Sequence, residues 1–224
     1  MKIFTVLSII LIISSTNAQE IKKIQPGELM PECAKSEYVN MQNKTVVWFP
    51  LEFMEIFITQ LKLSQNDLDK IMNMLNEHMI FLVVDSKIDV VQQRSVTTFK
   101  TDAQIRKNIK LIDSSNKSFS PISEDELSND MTDFLNGMKP SLAKLLGEMG
   151  KGMNVYIFKN KLINGESSFN IRTKNKFSIN FDSSKFTWNL PFVCTLPDLF
   201  CPIDKEKMKG NWNYCPTHGT SLAK

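Results

Sequence analysis

The chain has 224 residues, with 27 Lys and Arg against 24 Asp and Glu, and a formal net charge of +3. So small an excess, on lysines scattered rather than banded, argues for no nucleic acid as a partner. Apolar residues make up 42% of the chain, enough for a real core. No run beyond the leader described next reaches the roughly 20 apolar residues that cross a bilayer as a helix.

Lys2 is followed by the apolar run IFTVLSIILIIS at 3–14 and the small-residue stretch STNA at 15–18. That order of charge, short apolar core and small residues is a signal-peptide pattern, with cleavage expected between Ala18 and Gln19. The chain is therefore expected to be secreted or periplasmic, with no transmembrane segment after cleavage. In an oxidising compartment Cys33, Cys194, Cys201 and Cys215 form an even set that permits disulfides. A chain of this size does not need them to fold, so they read as local devices. Asn43 and Asn116 each begin an Asn-x-Ser/Thr acceptor pattern, which matters in a eukaryotic host.

Residues 19–44 are polar and carry Pro26, Gly27 and Pro31, and read as an irregular lead-in. A main domain follows over 45–192. TVVWF (45–49) is a strand, and Pro50 opens a helix with Leu51, Met54, Phe57, Ile58 and Leu61 on one stripe. Ser64 caps a second helix with Leu68, Ile71, Met72, Leu75 and Met79 on its apolar side, which gives a helical hairpin ending near His78. IFLVV (80–84) is a strand, Asp85-Ser86-Lys87 a turn, and SVTTF and NIKLID further strands. Ser123 and Glu126 form a capping box for a helix that buries Leu127, Met131, Phe134, Leu135 and Met138. Pro140 then opens another, with Leu142, Leu145, Leu146 and Met149, closed by Gly150. NVYIF is a strand, and FSINF and FTWNL flank a tight turn as a β-hairpin. Phe177, Ile179 and Phe181 share one face of that hairpin, as do Phe186, Trp188 and Leu190. The expected class is α+β, an antiparallel β-sandwich-like core with two helical hairpins.

The tail, 193–224, is different in kind. It carries Cys201-Pro202-Ile203-Asp204 and Cys215-Pro216-Thr217-His218-Gly219, separated by residues 205–214. This resembles a zinc ribbon, a family in which two Cys-Pro-x-Cys knuckles hold one metal. The resemblance covers this stretch alone. It implies a small module with metal ligands at Cys201, Asp204, Cys215 and His218, the second and fourth replacing cysteines of the family pattern. His for Cys is common in structural zinc sites, and carboxylate is the rarer choice. Met208, Trp212 and Tyr214 would cover the site, and Gly210-Asn211 would turn its hairpin. The competing reading is a Cys201–Cys215 disulfide closing the same loop. With zinc on that pair, Cys33 and Cys194 remain to pair with each other.

Four ligands fill a zinc shell, so a bound ion would be structural; with Asp204 absent from the shell, a zinc-dependent hydrolase is the alternative. The rest of the catalytic inventory is thin. His78 is the only other histidine, no G-x-S-x-G elbow occurs, and GEMGKGM (147–153) lacks P-loop spacing. The methionines on the helices fall on apolar stripes, which points to core packing rather than copper binding. The sequence thus points to an exported non-enzymatic protein, with an unidentified protein, glycan or envelope component as partner.

Overall fold

The computed structural model describes residues 22–59, 63–160 and 169–223. The leader at 1–18 and Leu61 lie outside them. Two antiparallel sheets form the core. The first is built from β1 (Ala34–Val39), β2 (Gln42–Phe49), β3 (His78–Val91) and β4 (Arg94–Phe99) in that order, with β7 (Met153–Lys159) also on β3. The second has the order β6-β5-β8-β9, where β5 is Lys110–Ile112, β6 Ser118–Phe119, β8 Asn175–Phe181 and β9 Ser184–Leu190. The class is α+β, as the blocks of hairpin-forming strands interrupted by helices implied.

Aromatic rings join the sheets. Phe81 of β3 lies 5.7 Å from Trp188 of β9 and 6.1 Å from Phe177 of β8, and Trp48 of β2 is 4.9 Å from Phe177. The hairpin register sets this up, because Phe177 pairs with Trp188 and Ile179 with Phe186. One face of this hairpin is then dominated by aromatic and aliphatic side chains. The first sheet is buried on its other face too. Ile80, Leu82 and Val84 are all buried, and Leu135 of α5 (Asn129–Leu146) shares a groove with Val155 and Ile157 of β7. Burial on both faces is why this stretch reads as an unbroken apolar run.

Several elements differ from expectation. Within 19–44, Pro26–Cys33 forms helix α1 and β1 follows directly. Pro26 sits in the first turn, where its missing N–H takes no bond from the helix. β3 runs straight through Asp85-Ser86-Lys87 and turns only at Gln92-Gln93, both at positive φ. Asp85 stays in the strand because its buried carboxylate has partners: Gln42 Nε2 donates to Oδ1 at 2.6 Å, and Lys100 Nζ lies 3.0 Å from Oδ2. α2 (Leu51–Ile58) and α3 (Gln65–Asn76) pack together as the first hairpin expected, with Ser64 Oγ accepting the Asp67 N–H. Met79 and His78 belong to β3 instead, and His78 Nδ1 lies 2.7 Å from the Met74 carbonyl. The second pair of helices is one helix. The Ser123–Glu126 box forms but caps a single 3-10 turn, and α5 starts afresh under Ser128 and passes through Pro140. Gly147, at φ +56, ends it rather than Gly150. A short helix α4 (Asp102–Arg106), capped by Thr101 with Gln104, was not foreseen.

Candidate metal centre

The tail is a small unit with its own core of Leu199, Cys201, Met208, Cys215 and Leu222, flanked by Trp212. Tyr214 is exposed and covers nothing. The unit begins where Glu32 of α1 accepts the N–H groups of Val193 and Cys194 at 2.7 and 2.8 Å. No sequence signal distinguished this carboxylate, because its partners are backbone groups 161 and 162 residues away. Lys207 adds an ion pair to Asp198 at 2.9 Å, and Lys22 another at 2.6 Å.

The two Cys-Pro segments fold alike, bond for bond. In the first, β10 (Leu199–Phe200) pairs with β11 (Lys207–Met208), so Phe200 stands opposite Lys207. In the second, Tyr214 bridges Ser221. In each, the residue before the cysteine pairs with the sixth residue after it. Cys201 N donates to Glu206 O at 3.0 Å and Lys205 N to Cys201 O at 2.9 Å. Cys215 N donates to Thr220 O and Gly219 N to Cys215 O, both at 2.8 Å. The fourth residue after each cysteine turns left-handed, Lys205 at φ 61 and Gly219 at φ 65. Glycine meets that demand freely. The first loop meets it with lysine, which hid the equivalence from sequence inspection.

These turns aim side chains at one point. Cys201 Sγ lies 3.3 Å and Cys215 Sγ 3.6 Å from His218 Nδ1, and the three ligand atoms all fall within 4.8 Å of one another. Asp204 Oδ2 is 3.6 Å from the same nitrogen, while Asp204 is set back from the mutually close group of three. With zinc–sulfur bonds of about 2.3 Å and zinc–nitrogen bonds of about 2.0 Å, a tetrahedral site has S···N edges of about 3.5 Å. The observed separations fit that size without rearrangement. Soft thiolates with an imidazole also match the donor set zinc prefers.

All four cysteines are free thiols, and electrostatics separate Cys201 from Cys33 and Cys194. Burial alone would raise the Cys201 thiol, yet the N–H groups of Asp204 and Ile203 and the His218 ring outweigh it and hold Cys201 below the ordinary value. In the second loop His218 N donates to Cys215 Sγ at 3.4 Å. Asp204 is held below the usual carboxylate range, first by the Glu206 N–H at Oδ1 and then by Cys201. Cys33 goes the other way, pushed far up by burial with Cys194 and Glu32 beside it, and burial with Glu32 pushes Cys194 up to about 12. That pair is kept as neutral thiols, which are poor metal ligands.

No family model, curated protein or solved structure matches the chain. Among the described residues no helix is long and apolar enough to cross a membrane.

Proposed function

We propose that this is an exported, non-enzymatic binding or structural protein whose tail is stapled by one structural zinc ion. Cys201, Cys215 and His218 would hold the ion, with Asp204 as fourth ligand. The observation that carries this reading is the repeated knuckle. Two loops with the same hydrogen bonds, the same strand closure and the same left-handed residue bring the ligand atoms of Cys201, Cys215 and His218 within 4.8 Å of one another. Hydrogen bonds to the Cys201 sulfur favour thiolate, the form that binds metal.

The staple has a wall to hold in place. Between α1 and the tail lies a cleft of about 540 Å³, with Glu28, Glu32 and Lys22 on one side and Lys207, Gly210 and Trp212 on the other. A partner of the exported chain would find there a concave surface whose tail side depends on the metal.

Elemental analysis of the exported chain, purified without chelator, should find about one zinc per molecule. Cys201 and Cys215 should resist alkylation until a chelator is added, and Trp212 emission should change on the same addition. A metal-free chain with a mapped Cys201–Cys215 disulfide would sink the proposal.

A further inference from the structure

The four candidate ligands are not equivalent in their access to solvent. Both cysteines are closed off, Cys201 at 0% and Cys215 at 1% exposure, while the side chains of His218 and Asp204 are 29% and 38% exposed. The sulfurs form the floor of the centre, and the imidazole and carboxylate form its mouth. Of the two mouth residues, His218 belongs to the mutually close group and Asp204 stands back from it. Asp204 is also tethered independently of any ion, because Oδ1 accepts the Glu206 N–H at 2.9 Å. Its carboxylate therefore stays beside the centre whether or not an oxygen ligates. A carboxylate is moreover a harder donor than a thiolate, and gives up a soft-leaning ion more readily.

Resting on the reading that Cys201, Cys215 and His218 hold the metal, we propose that Asp204 is the exchangeable ligand of the clamp, the side from which the ion is loaded and surrendered. The molecules that deliver or extract it are then small chelating ligands, thiolate or carboxylate in character, able to approach over the exposed edge of residues 204 and 218. They displace the carboxylate first and reach the buried sulfurs last. This makes the staple kinetically open on one side while it remains four-coordinate at rest.

The test loads the full chain and its Asp204→Asn and Asp204→Cys forms with zinc alone, then follows transfer to excess chromophoric chelator. Asn keeps the acceptor for the Glu206 N–H, so the turn is retained while the carboxylate is lost. All three forms should hold about one zinc. Release should be roughly tenfold or more faster from the Asn form and roughly tenfold slower from the Cys form than from the parent chain. Cobalt in place of zinc should show stronger thiolate charge-transfer absorption in the Cys form. Release from the Asn form at the parent rate, or from the Cys form no slower than the parent, would overturn the gate alone. A parent chain that takes up no zinc would overturn the metal reading itself and the gate with it.

Discussion

Gly210 leaves no room for a side chain. A Cβ there would sit 2.4 Å from the Pro197 carbonyl oxygen and 2.6 Å from Leu196 Cβ, contacts that real Cβ atoms do not make. The neighbours are backbone and the base of a side chain, so they cannot swing aside as the tip of a long residue could. The turn closed by Trp212 N and Lys209 O must therefore move off the segment that leads into the tail. Gly210→Ala should cost about 1–3 kcal/mol, read as a lower denaturant midpoint, and should widen the cleft between α1 and the tail. The second loop has Gly219 at its left-handed position, whereas Lys205 must hold φ 61 without glycine's freedom. That burden falls on the first loop and has no counterpart in the second.

Among the elements, α5 carries a proline at an exposed interior position. Pro140 cannot donate to the carbonyl four residues back, and its ring crowds that turn. Apolar contacts of Met131, Leu135 and Leu142 with the core hold the helix together in spite of it. Pro140→Ala should restore the missing bond and raise the thermal midpoint, by up to about 3 kcal/mol of stability at the proline's full helix-interior penalty. An unchanged or lower midpoint would mean that the helix is already kinked to suit the ring.

The same helix shows what the sequence could and could not disclose. Period, the Ser64 cap and the β8–β9 hairpin were legible because they depend on neighbours a few residues apart. The continuity of α5 was not, since it is decided by burial of Met131, Leu135 and Leu142 in the core rather than by local preference. Asp85 departs from its local signal for a similar reason: as a turn former it is typical, and its partners are Gln42 of β2 and Lys100, just past β4. The candidate metal centre was legible in Cys201, Cys215 and His218, which the fold brings together. The matched hydrogen bonds behind them were not, because Lys205 carries no local sign of a left-handed turn.

At the scale of the whole molecule, a charge network ties the two sheets together at one end. Lys100, just past β4, reaches Asp85 of β3 and Asp182 in the β8–β9 turn, and Asn108 Nδ2 also donates to Asp182 at 3.1 Å. Lys44 of β2 crosses to Ser184 Oγ at 2.8 Å. The Lys100 contact, with help from Asn108, holds Asp182 below its ordinary 3.8 against the opposing effect of burial. The folded value lies below the unfolded one, so the stabilisation is full above about pH 4 and is lost as the pH falls through the folded value. Burial acts to lower Lys100, but its contacts with Asp182 and Asp85 win and raise it above 10.5. Its contribution is present below that pH and fades as the pH rises through the raised value. Denaturation midpoints measured between pH 2 and 7 should fall on the acid side in the parent chain, and Asp182→Asn should flatten that slope. An acid slope of the same steepness in the Asn form would assign the effect to other carboxylates.

The paired knuckles have a consequence for how the protein assembles. Their hydrogen bonds, strand closures and proposed ligands all lie between residues 199 and 222, so closing the module asks for little search along the chain. The sandwich asks for far more, since β3 must find β7 and β5 must find β8 across distant stretches. Local contacts form early and distant ones late. An ion that meets the newly made chain would thus set the tail before the sheets have met, and the finished clamp would then wait as a preformed surface for α1 and the Glu32 carboxylate to dock against.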